Sequence, residues 1–95
     1  MVEKMKAVSI DWGYHTMVQQ LLFADGEFFI GKFVRKSDGY ISWHMHETAT
    51  GKGINKVGVI CYEKEDDNDE NAENALKSII REFERATHVE FATLL

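Results

Sequence analysis

Between Asp69 and Ala86 the chain places Ala72, Ala75, Leu76, Ile79, Ile80, Phe83 and Ala86 on one stripe of a helix. The spacing follows the 3.6-residue period of an amphipathic helix and predicts one there. A single helix with an apolar stripe cannot bury that stripe alone. It needs a second layer, and the preceding two thirds of the chain must supply it. Acids at Glu70 and Glu73 favour the positive end of this helix, Asp69 is the expected N-cap, and Arg85 and His88 sit near the negative end.

The preceding residues read mostly as strands. In Lys6 to Trp12, Val8, Ile10 and Trp12 alternate with Ala7, Ser9 and Asp11, the period of a half-buried strand. Residues 14–25 support two readings. Met17, Val18, Leu21 and Leu22 fit a helix closed by Gly26, whereas Asp25-Gly26 between apolar runs signals a hairpin. The hairpin is preferred, with Phe23 opposite Phe28 and Leu21 opposite Ile30. Ser37-Asp38-Gly39 forms a turn. Ile41, Trp43 and Met45 then alternate with Ser42, His44 and His46. A loop, TATGKGIN, leads to KVGVICYEK, whose β-branched residues suggest a central strand. The tail VEFATLL is β-prone and could add a last strand. The expected fold is a single α+β domain over residues 1–95: an antiparallel sheet of about five or six strands covered by one C-terminal amphipathic helix.

Charge is concentrated in one place. The formal charge is −5, and the window Glu63 to Asn74 alone carries seven acids and one lysine. The rest of the chain is close to neutral, so the molecule is a neutral domain with one acidic patch. Such a patch attracts basic partners and repels nucleic acid locally. The start of the chain is charged, without the apolar run of a signal peptide, and no stretch reaches the roughly 18 apolar residues of a membrane helix. A cytoplasmic protein without membrane contact is expected. Cys61 is the only cysteine, so no disulfide lies within the chain, and its apolar neighbours suggest a buried structural thiol.

Four stretches invite chemistry. In SWHMHE, His44 and His46 share one strand face about 6.5–7 Å apart and could meet at a metal, with a third ligand from His15, His88 or Cys61. The spacing departs from the His-x-His opening of the cupin metal motif, and the simpler expectation is a solvated strand face opposite Ile41, Trp43 and Met45. The acids do not fit a calcium loop, because the sixth and twelfth positions fall on Ala72 and Ser78 from Asp67, or Asn71 and Lys77 from Asp66. Thr50-Gly51-Lys52-Gly53 lacks the spacing of a phosphate loop and reads as a turn. FFIGKFVRK mixes Phe28, Phe29 and Phe33 with Lys32, Arg35 and Lys36, a composition that suits single-stranded nucleic acid if all share one face.

The first functional reading is therefore a small non-enzymatic protein-binding module without a cofactor. Glu65, Asp66, Asp67, Asp69, Glu70 and Glu73 would contact a protein with a basic surface, and the sharper form is an inhibitor that occupies a nucleic-acid-binding groove. In size and charge alone the chain is similar to small phage-encoded anti-defence proteins. The alternatives are a metal-binding protein or small metalloenzyme using His44 and His46, and a single-stranded nucleic-acid binder using the aromatic and basic strand. The second of these is disfavoured by the lack of a positive excess. A homodimer through an exposed edge strand is a further expectation.

Overall fold

A computed structural model describes the backbone of residues 5–94 and the side chains of residues 5–86. Five strands form a sheet in sequence order: β1 (Met5–Trp12), β2 (His15–Phe23), β3 (Phe28–Arg35), β4 (Ile41–Glu47) and β5 (Ile60–Tyr62). Every neighbouring pair is antiparallel. A short 3₁₀ turn, Lys64–Asp66, leads into helix α1, Asp69–Leu94. The α+β arrangement expected from the stripe is thus present, with five strands and one helix among the described residues.

The hairpin reading of residues 14–25 is correct. Leu21 faces Ile30 and Phe23 faces Phe28 across β2 and β3. The connection is Ala24–Glu27, in which Ala24, Asp25 and Gly26 all adopt positive φ. Left-handed backbone is costly for alanine and nearly free for glycine. Burial of Ala24 beneath the helix accompanies that cost.

Three expectations are corrected. The segment KVGVICYEK is not a central strand: only Ile60–Tyr62 pair, at the sheet edge, and Val59 stays exposed. The tail VEFATLL does not return to the sheet over residues 89–94, where the backbone stays helical, and Leu95 lies outside the described residues. Finally, Cys61 is exposed, since it alternates outward between the half-buried Ile60 and Tyr62.

The helix covers one sheet face. Ala75, Leu76, Ile79 and Phe83 pack on Leu21, Ile30, Ile41, Trp43 and Met45, with Val57 closing the margin. Trp43, Ile30 and Met45 are fully buried there. Phe83 meets Phe23 and Phe28 edge-on, with ring centroids 5.8 and 4.9 Å away. Glu82 ties the long β4–β5 loop to the helix by accepting the Gly58 N–H at 2.6 Å.

A second, smaller core lies on the other face, where no helix packs among the described residues. Met17, Phe29 and Phe33 are buried there, joined by Val8 and Trp12. Met17 and Leu21 would share a face on a regular strand. A bulge between Met17 and Gln19 sends them to opposite sides. A second bulge lies between Ala7 and Ile10 in β1. Together they curl the sheet until Trp12, on β1, comes to 5.4 Å from the ring of His46 on β4. Three strand spacings on a flat sheet would separate those strands by about 14 Å.

Candidate functional site

The acids of the Glu63–Asn74 window gather at the mouth of α1. Their placement follows from the helix start. Asn68, rather than the expected Asp69, is the cap: its Oδ1 accepts the Asn71 N–H at 2.8 Å. The difference is one residue and has a physical basis, because asparagine reaches the third helical N–H as well as aspartate does. Asn71 then donates its side-chain N–H to the Asp66 carbonyl at 2.6 Å, locking the 3₁₀ turn to the first helical turn. Asp69 and Glu70 therefore stand in the first turn, where the exposed N–H groups favour negative charge.

The six acids do not behave alike. Glu65, Asp66, Asp69 and Glu70 are exposed and make no ion pair with the protein's cations among the described residues. Glu73 stands 3.6 Å from Lys77, one turn along the helix, an exposed pair of small value. Asp67 is different. Its Oδ2 accepts a hydrogen bond from Lys32 Nζ at 2.7 Å, and its Oδ1 accepts one from the Tyr62 hydroxyl at 3.0 Å. The Tyr62 oxygen in turn accepts the Trp43 indole N–H at 2.9 Å. Lys32 Nζ also lies over the Trp43 ring, 5.7 Å from its centroid. Burial, with the bond donated to Asp67 acting in the same direction, pushes the Tyr62 phenol up to about 12. Asp67 thus belongs to a network that joins β3, β4, β5 and the entrance of α1. Sequence reading grouped it with the patch because its partners lie 35 and 5 residues away.

An open polar groove of about 640 Å³ runs between the helix mouth and the sheet. Asp67, Asp69 and Glu73 border it, with Met5, Val18 and Gln19 also lining it. Lys32 lines it too, engaged by Asp67.

The histidine pair lies on the opposite face, and the expectation of a solvated strand face fails there. His46 is only 6% exposed. Its ring stacks on Phe29 with 5.2 Å between centroids and 9° between planes, and Trp12 and Phe33 flank it. Alternation on β4 sends Trp43 toward the helix and His46 the other way, but the curled sheet gives that other side a core of its own. His44 is half-buried, 4.7 Å from His46 between ring centroids. Burial lowers the pKa of both imidazoles below the ordinary histidine value; for His46 the nearby His44 acts in the same direction. His15 and Ser42 border the same concavity, whereas Cys61, another proposed ligand, does not. The side chain of His88, the remaining proposed ligand, lies outside the described residues. Among the described residues no three His, Cys, Asp or Glu side chains come together as a metal site.

The aromatic and basic strand is divided between the faces. Phe29 and Phe33 are buried in the small core, while Lys32 reaches the helix side. Arg35 forms a two-bond pair with Asp38, and Lys36 bonds Asp11 at 2.7 Å. The Arg35 guanidinium beside Asp38 holds that carboxyl down at about 2. These cations are engaged with the protein's own acids, and the buried rings offer no stacking platform.

No family model, curated protein or solved structure matches the chain. No described helix is long and apolar enough to cross a membrane.

Proposed function

We propose that the protein is a non-enzymatic binding module that docks on a basic protein surface through the acids at the mouth of α1. The observation that carries this reading is the set Glu65, Asp66, Asp69 and Glu70, exposed on two consecutive turns without internal cations. Their position on a capped helix start presents them as a fixed constellation rather than a loose tail. Glu73 and the adjoining groove, which Asp69 also borders, extend the contact. Asp67 supports the constellation from behind. The sharper form is an inhibitor that covers a nucleic-acid-binding groove, with carboxylates standing where phosphates would lie. Charge of this kind sets the encounter rate and specificity more than the raw affinity.

The test is capture of a partner from host extract on immobilised protein, at low and at high salt. A variant with Asp66→Lys, Asp69→Lys and Glu70→Lys is run beside the wild type, with Asp67 left intact to preserve the fold. The wild type should retain a basic protein at low salt and lose it at high salt, and the variant should lose at least about tenfold in retention. The captured protein should lose its hold on nucleic acid when the wild type is added. Equal retention of the same protein by the triple variant, or retention indifferent to salt, overturns the proposal.

A further inference from the structure

Away from the acidic corner, the imidazoles of His15, His44 and His46 border one open concavity of about 210 Å³ with Trp12, Phe33 and Ser42. Among the described residues no carboxylate lines it. Docking through the helix mouth leaves these groups without a task.

Two features set His44 and His46 apart from ordinary core histidines. One is that the backbone engages the His46 ring. His46 Nδ1 lies 3.3 Å from the His44 carbonyl, which accepts its proton in one tautomer and leaves Nε2 with a free lone pair. Tethers of this type fix tautomer and ring orientation in metal-binding imidazoles. The other feature is that both rings are held in place. His46 is stacked on Phe29. His44 lies against Gly53, where even a Cβ would come within 2.6 Å of His44 Cε1. Rings that are already ordered lose little further freedom on ligation.

We propose that His44 and His46 form a two-imidazole site for a late first-row divalent cation, with the remaining coordination positions open to the concavity. Neutral nitrogen donors favour Cu²⁺, Ni²⁺ and Zn²⁺ over Mg²⁺ and Ca²⁺, which take oxygen. No third protein ligand joins them among the described residues, so water completes the shell. A site of that kind can exchange its water for a donor from another molecule.

The test uses the metal-free full chain titrated with copper, nickel or zinc chloride. Calorimetry reads stoichiometry and affinity. Tryptophan fluorescence reads proximity, since Trp12 lies 5.4 Å from the His46 ring and a bound Cu²⁺ should quench it. One equivalent should bind, with Cu²⁺ tightest. His44→Gln, at a half-buried position, should weaken Cu²⁺ binding at least tenfold and abolish the saturable quench, while circular dichroism confirms its fold. His88→Ala and the lysine variant of Asp66, Asp69 and Glu70 should bind as the wild type does. The latter result keeps this proposal separable from the docking reading. In wild-type spectra, substoichiometric Cu²⁺ should broaden the His44 and His46 ring resonances first. Binding that survives His44→Gln, broadening centred on residues 65–73, or no one-to-one binding at about 100 µM metal overturns the proposal.

Discussion

Removing the Asp67 carboxylate should destabilise the fold, whereas removing that of neighbouring Asp66 should not. The side chains of Lys32 and Asp67 are only 14% and 26% exposed, so solvent screens their 2.7 Å contact less than a surface pair. Asp67→Ala leaves the Lys32 ammonium and the Tyr62 hydroxyl without their acceptor. Loss of a hydrogen bond to a charged group costs about 1.5–3 kcal/mol, so about 2 kcal/mol is expected. A domain of this length is stable by roughly 5–10 kcal/mol, so the change consumes a sizeable fraction. Urea unfolding followed by tryptophan fluorescence measures it. The pairwise part comes from a cycle of Asp67→Ala, Lys32→Met and the double variant, with a coupling of about 1–2 kcal/mol. Asp66→Ala, whose carboxylate touches no cation among the described residues, should stay within about 0.5 kcal/mol of wild type. A coupling below about 0.5 kcal/mol, or equal losses for Asp66→Ala and Asp67→Ala, would show that the network is not a structural element.

Two further outcomes follow from the small core. Gly31 lies beneath the Phe33 ring, and an added Cβ would sit 2.7 Å from both Met17 Sδ and Phe33 Cζ; Gly31→Ala should therefore cost about 1–3 kcal/mol in urea unfolding, and a neutral effect would show that the core yields easily. Because burial lowers the folded pKa of His44 and His46, the unfolded chain takes up protons first as pH falls. Their contribution is complete above about pH 6.5 and declines below it by at most about 1.4 kcal/mol per pH unit per histidine, until the folded pKa is reached. Urea midpoints in EDTA should thus drop between pH 7.5 and 5.5, and the drop should shrink in His46→Phe; a flat profile counts against neutral buried imidazoles.

The parts of the fold that follow from local pattern were legible in the sequence. The stripe from Ala72 to Ala86 and the Asp25-Gly26 turn each determine their own geometry within a few residues, and both appear where periodicity puts them. The small core was not legible, because it depends on where two bulges fall. Strict alternation puts Met17 with Leu21 and leaves His46 in solvent; one extra residue in β2 moves Met17 to the far side, and the resulting curl brings Trp12 over His46. Cys61 was misjudged for a related reason. Apolar neighbours in sequence say little at an edge strand, where one side of the pleat faces water. Of the acidic constellation, the exposed members could be read from composition. The separate role of Asp67 could not, since it is conferred by Lys32, a residue 35 positions away.

Strand β4 links the two candidate surfaces while keeping them distinct. Its alternation sends Ile41, Trp43 and Met45 into the helix-side core and Ser42, His44 and His46 toward the concavity. Trp43 is the point of contact with the acidic side, through Tyr62 to Asp67. Substitutions at exposed acids should therefore leave the histidine concavity unchanged, and His44→Gln should leave partner docking unchanged, because no described hydrogen bond or ion pair connects the two sets. Additive effects on stability are the expected signature of that separation. A change at Trp43 is the exception: it removes core volume, leaves Tyr62 without its donor and shifts the strand that carries both imidazoles. Loss of both activities in Trp43 variants, beside loss of only one in each surface variant, is the pattern this architecture requires.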